Sequence, residues 1–132
     1  MATGDDIRRH LHASGRVVHE ATTWLGLVIR LGERAFQKVR VDLDASRIIV
    51  RADVCGAGAL AAEDALCRNA ELDAGALALA NGIYVLRHVL PLRHVALADV
   101  DRVVDAVAVE AARLRAHVGA GPELGYCLGY TE

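Results

Sequence analysis

The sequence predicts an α+β fold: an antiparallel sheet with helices packed on one face, in the order α-β-β-β-α-β-β-α across a single domain of residues 1–132. Three observations carry this. Alternating apolar and polar runs fill residues 16–54 and are broken by turn residues. Asn81-Gly82 sits between two further apolar runs, a strong hairpin signal. A long stretch with a 3.6-residue apolar period follows them.

Asp5 to Ala13 reads as a short helix, with Thr3 or Asp5 as its cap, Ile7 and Leu11 on one face, and Gly15 ending it. Three or four strands come next. Arg16 to Thr23 is rich in β-forming residues. In Trp24 to Leu31, Leu25, Leu27 and Ile29 face one way and Trp24, Val28 and Arg30 the other. Gly32-Glu33-Arg34 reads as a turn. In Phe36 to Leu43, Val39, Val41 and Leu43 oppose Lys38, Arg40 and Asp42, the pattern of a half-buried antiparallel strand. Asp44-Ala45-Ser46 favours a tight turn, and Arg47 to Val54 returns with Ile48, Val50, Ala52 and Val54 on one face. Such short loops join neighbouring antiparallel strands.

Gly56-Ala57-Gly58 marks a change of character. Ala59 to Asn69 reads as a helix, with Leu60, Asp64 and Cys67 along one face and Ala62, Leu66 and Asn69 along another. Gly75 to Ala80 and Ile83 to Leu90 form the hairpin, and Pro91 helps to end it. From Ala98 to Val118, Val100, Val103, Val104, Val107, Ala111, Leu114 and Val118 form an apolar stripe, with charged residues in the remaining positions, Glu110 and Arg115 among them. Gly119 and Gly121-Pro122 stop this helix. The tail alternates Leu124, Tyr126, Leu128 and Tyr130, which fits either an added strand or a loose end.

Composition narrows the function. The chain is 54% hydrophobic, mostly Ala, Val and Leu, with a mean hydropathy of +0.28. A small domain has limited interior, so part of this surface is expected to be covered by a partner or a second copy. Fifteen basic residues face seventeen acidic ones, well mixed, which argues against nucleic acid as a partner. No apolar run is long enough to span a membrane. Met1 to Asp6 is polar with no apolar stretch behind it, so a cytoplasmic protein is expected.

Chemistry is hard to find. His10 and His12 are two residues apart on a helix and diverge, while His88 and His94 lack ligand partners at metal spacing. Ser14 and Ser46 lie in no nucleophile elbow. Cys55, Cys67 and Cys127 are widely spaced and odd in number, the pattern of buried free thiols rather than disulfides. Cys67 is expected on the apolar side of its helix. Gly56-Ala57-Gly58 follows a strand and precedes a helix, but Ala61 stands in the third glycine position and no βαβ pattern follows, so it reads as a turn. Glu63 and Asp64 are adjacent and solvated. No catalytic, metal or cofactor site is expected. Trp24 and Phe36, on strands with a face to spare, are the candidate partner-binding aromatics.

From the second helix onward the order runs Leu66, Asn69, Leu72, Gly75, Leu77, Leu79, Gly82, Tyr84, Leu86, Arg87, Leu90-Pro91-Leu92 and then the long helix. This resembles the type III secretion chaperone-like fold of CesT-type chaperones and YbjN-like proteins. There, a helix ending near an Asn leads to a hairpin whose second strand reads Leu-Arg-x-x-Leu-Pro, followed by a terminal amphipathic helix. The resemblance implies a homodimer without catalytic activity. It implies binding of an extended effector segment on apolar patches and sheet edges. It also implies that the second helix dimerises, with Leu60 and Leu66 near the two-fold axis. The chain departs from the family at its short first helix, where Gly15 truncates the surface that chaperones use for cargo. A regulatory or adaptor protein of the same fold, binding a folded partner, is the alternative.

Overall fold

The computed structural model describes residues 2–119. Cys127 and the alternating tail lie outside the described residues. The elements are α1 (Gly4–Ala13), β1 (Val17–Glu20), β2 (Trp24–Arg30), β3 (Phe36–Leu43), β4 (Arg47–Gly56), α2 (Ala62–Asn69), β5 (Ala76–Ala80), β6 (Ile83–Pro91) and α3 (Leu97–His117), with one 3-10 turn at Ala57–Ala59. The six strands form one antiparallel sheet in the order β1-β2-β3-β4-β6-β5. Arg16–Thr23 thus supplies a true strand, so four strands precede α2.

Alternation decides the layers. Leu25, Leu27 and Ile29 of β2 lie opposite Val41, Val39 and Gln37 of β3. Val41 in turn pairs with Val50, and Ala52 with Leu86. These side chains share one face and meet Val100, Val103, Val104, Val107 and Ala111 of α3 together with Ile7 and Leu11 of α1 in one core. Each fully buried Val or Leu here contributes roughly 1.5–3 kcal/mol. The helix α3 lies along β3, β4 and β6, while α2 packs at β5.

Local chemistry sets the ends of the elements. Thr3 caps α1 with a full capping box: Asp6 N–H donates to Thr3 Oγ1 (3.2 Å), and Thr3 N–H donates to Asp6 Oδ2 (2.9 Å). Asp44 Oδ1 accepts from the backbone N–H groups of Ser46 (2.8 Å) and Arg47 (2.9 Å), closing the β3–β4 turn. Asn81 and Gly82 both have positive φ, 53° and 77°, as a two-residue hairpin turn matched to the strand twist requires.

The helices differ from the sequence reading in two places. Leu60 lies before α2, which starts only at Ala62, and Ala65 is the helix residue that is buried. Cys67, expected on an apolar face, is exposed, because α2 is short and buries only Ala65. Cys55 is the buried free thiol, and burial pushes its pKa up. The long helix also buries two charges from its expected polar side. Glu110 accepts from Asp73 N–H (3.1 Å) and from Arg113 Nε (2.8 Å), tying the α2–β5 loop to α3. Arg115 Nη1 donates to buried Gln37 Oε1 (2.5 Å), fixing the end of α3 to β3. Polar partners reach both charges from the loop and the strand, and among the described residues Arg115 Nε is left without one.

Gly75 is required by both sterics and backbone. Its φ is +72°, and a Cβ there would lie 2.7 Å from the Arg87 carbonyl oxygen. Gly75→Ala should therefore lose about 1–3 kcal/mol of stability, measured by urea denaturation. Acid stability follows from three surface carboxylates. Backbone hydrogen bonding to Thr3 holds Asp6 below the ordinary range, backbone bonds from Ser46 and Arg47 do the same for Asp44, and Arg8 with His12 does so for Glu20. A lowered carboxylate stabilises the fold above its unfolded value, about pH 4, and that contribution is lost as pH falls through the lower folded value. The loss of melting temperature on acidification below about pH 4 should be shallower in an Asp6→Asn, Asp44→Asn double variant than in the parent protein.

Candidate protein-binding surfaces

Three of the four histidines singled out in the sequence are engaged in structure. His10 Nε2 lies 2.8 Å from Asp101 Oδ2, joining α1 to α3. His12 Nε2 lies 3.1 Å from Glu20. His88 Nδ1 accepts from Gly75 N–H at 3.2 Å. Among the described residues, no three His, Cys, Asp or Glu side chains are gathered as a metal ion would need. Gly56-Ala57-Gly58 forms the end of β4 and the 3-10 turn, and its backbone N–H of Ala57 donates to Gly82 O (2.9 Å). A concavity of about 1000 Å³ lies between α1 and the start of α3, lined by residues such as Ala2, His10, Ala13, Val95 and Leu97.

Among the described residues, large apolar side chains are exposed on both edge strands and on α2, and also at Phe36 of β3, Val89 of β6 and Val109 of α3. Leu66 on α2 is 71% exposed, and Leu79 on β5, the edge strand against which α2 packs, is 60% exposed. Val18 on the opposite edge and Phe36 at the start of β3 are exposed as well. Sequence reasoning found Leu66 and Phe36 but missed Leu79 and Val18. Their alternating surroundings were visible, but not that their strands are the two edges.

The structure separates the four residues singled out for binding. Phe36 is exposed, with the Arg30 guanidinium 5.9 Å from its ring centre. Trp24 is only 3% exposed although it lies on the face away from the core. His19 stacks on its ring at 4.6 Å and Arg40 lies over it at 4.3 Å. His19, Gly26 and Arg40 are directly paired across β1, β2 and β3. Gly26 offers no side chain between the two, which leaves room for the indole. Leu66 projects from α2, whereas Leu60 packs into the protomer's own core at 7% exposure. A partner would therefore meet Leu66 and Phe36 directly and not the side chains of Leu60 or Trp24.

The two strand edges are unequal. β1 has four residues and a register break between Val17 and His19, a feature that blunts pairing. Its end is pinned by Arg8, which donates to Glu20 (2.7 Å) and to the carbonyls of Ala21 and Thr22. On β5 the Asn69 side chain imitates a neighbouring strand. Leu77 N–H donates to Asn69 Oδ1 (2.6 Å), and Asn69 Nδ2 donates to Leu77 O (3.3 Å). Since Leu77 turns both backbone groups away from β6, Leu79 does so too, two residues on. One amide thus closes the edge at Leu77, and among the described residues no side chain does the same at Leu79.

Comparison with known proteins agrees with this architecture. No family model matches the chain, and no curated protein matches it. Among solved structures, a chain of the "Structure of the HopA1-SchA Chaperone-Effector Complex" superposes with a TM-score of 0.62 at 17% identity, over 85% of this chain and 89% of that one. The fold is type III secretion chaperone-like. The order of helices and strands is consistent with that fold. No helix among the described residues is long and apolar enough to cross a membrane.

Asn69→Ala should cost about 1–3 kcal/mol in chemical denaturation, because it leaves the Leu77 backbone groups without their partner. It should also raise the rate of amide exchange at Leu77, read by hydrogen exchange.

Proposed function

We propose that the protein is a non-enzymatic, chaperone-like binding protein of the cytoplasm that acts as a homodimer and holds a segment of another polypeptide on apolar patches and sheet edges. The observation that carries this reading is the exposed pair Leu66 and Leu79 on α2 and the β5 edge that it flanks. Two large aliphatic side chains on packed neighbouring elements are costly to leave in water and gain roughly 1.5–3 kcal/mol each on full burial. The likeness to a chain in a chaperone–effector complex supports the same reading. In the dimer, Leu66 meets its counterpart across the two-fold axis and Leu60 supports α2 from within the protomer's core. Phe36, with the face of β2 and β3 around it, contributes to the surface for the bound segment. The sequestered stack on Trp24 keeps that face rigid.

Size-exclusion chromatography with light scattering tests the dimer. The parent chain should run at twice its protomer mass, and Leu66→Asp should shift it to the protomer mass with an unchanged circular dichroism spectrum, since Leu66 is exposed in the protomer. A dimer untouched by Leu66→Asp contradicts this interface. Cross-linking mass spectrometry on a co-purified partner tests the cargo. Cross-links confined to one stretch that is unfolded when isolated support the chaperone reading, whereas cross-links to a folded domain favour the adaptor.

A further inference from the structure

Two buried apolar residues stand outside the core. Trp24 and Val85 are 3% and 5% exposed, yet neither belongs to the cluster that joins the helices to the inner face of the sheet. Alternation puts both on the outer face, where Asp53, the partner of Val85 across β4 and β6, is also only 5% exposed. His19 and Arg40 enclose Trp24 from the neighbouring strands. Val85 has no such shield, since its neighbours across the sheet are Asp53 and the small Ala78. Ile7 and Leu11 of α1, Ala65 of α2 and the valines of α3 all pack in the core, so among the described residues no helix lies over the outer face. A valine beside an alanine on an uncovered sheet face would keep part of its side chain in water.

The chain itself can supply the cover. Residues 120–132 follow α3 and begin where it ends. Arg115 donates to Gln37, so α3 ends beside the start of β3. Arg40 pairs with Arg51, which puts Lys38 and Asp53 two residues nearer to that end of the sheet, and Val85 lies opposite Asp53. From Gly119 to Glu123 an extended chain covers about 13 Å, more than the roughly 10 Å of one packed layer. Gly121-Pro122 suits the turn round the sheet's end.

Leu124, Tyr126, Leu128 and Tyr130 then alternate with Gly125, Cys127 and Gly129, which gives an extended run one large apolar side. Leu124 to Tyr130 is six residue steps, about 20 Å, and the diagonal from Val85 on β6 to Trp24 on β2 crosses three strand spacings and four residues, also about 20 Å. Charge agrees with this pairing. Residues 120–132 contain Glu123 and Glu132 and no Lys or Arg, while the outer face bears Lys38, Arg40, Arg51 and Arg87 against Asp42 and Asp53.

We propose that residues 123–130 of the same chain cross the outer face as a strap, with Leu124 over Val85 and Tyr130 toward Trp24. The strap packs side chain upon side chain and needs none of the ion pairs on that face to break. Phe36 stays 53% exposed at the margin of the covered area, so the strap borders the surface proposed for a partner without filling it. The inference stands apart from the protein-binding reading, and its test uses no partner.

Thiol labelling of the full chain with Ellman's reagent tests it, using Val85→Cys in a chain that also carries Cys67→Ser and Cys127→Ser, with Cys55 left in place because it is buried. The new thiol should label slowly, at a rate that dilution does not change. Adding Leu124→Asp and Leu128→Asp should raise that rate about tenfold or more, because charge replaces the buried leucines, and should leave the circular dichroism spectrum unchanged. Trp24, the single tryptophan, gives a second readout with Val85 left native, and its quenching by acrylamide should increase with the same two tail substitutions. Fast labelling before the tail is altered, or labelling and quenching that ignore the tail substitutions, overturns the inference. Protection that is lost on dilution also overturns it and assigns the cover to a second copy.

Discussion

The structure depends on the seating of α3 on the inner face of β3, β4 and β6. Val100, Val103, Val104, Val107 and Ala111 present small, branched or short side chains to a sheet face made of Val39, Val41, Val50, Ala52 and Leu86. Such a pairing allows close approach with little side-chain entropy to lose, and it explains how a chain with so few aromatics builds a core. The same contact fixes which sheet face is inner. Once that is set, the period of two in every strand assigns each remaining side chain to the core or to the open face.

Polar groups then tie the smaller elements to this base. Glu110 holds the α2–β5 loop through Asp73 N–H, Gln37 receives Arg115 from the end of α3, and Asn69 joins α2 to β5 by backbone mimicry. The Glu110 and Asn69 bonds hold the short α2 and its loop to α3 and β5, while the Gln37 bond pins the end of α3 to a strand it already packs against. Losing one leaves a buried polar group unpaired, so the penalty exceeds the value of the bond itself. The short helix α2 is therefore positioned without a large buried face, and this frees Leu66 to point outward.

Much of this was legible in the residues. The strand faces of β2, β3 and β4 followed from alternation, the hairpin from Asn81-Gly82, and α3 from its valine stripe. What local pattern does not contain is neighbourhood. Nothing in Ala76 to Ala80 marks it as an edge, so Leu79 read as an ordinary strand residue. Trp24 was a candidate partner-binding aromatic because its strand has a face to spare. It is buried because Gly26 and the partners His19 and Arg40 on adjacent strands enclose it, and that depends on register. Glu110 and Arg115 fell on the polar side of the helical wheel, yet the loop and β3 reach round to cover them.

Three arginines on neighbouring strands show the same limit. Arg40, Arg51 and Arg87 come from three separate segments, and each alone reads as a solvated charge on a half-buried strand. Only the β3–β4 and β4–β6 registers put them side by side. A two-residue slip in either pairing would keep every apolar residue on its proper face and disperse the row, so core packing alone does not demand this alignment. Repulsion between neighbours, on the order of a few tenths of a kcal/mol per pair, acts against it. Asp42 relieves that repulsion at Arg40 and Arg51, which is how the fold tolerates an alignment that its core does not require.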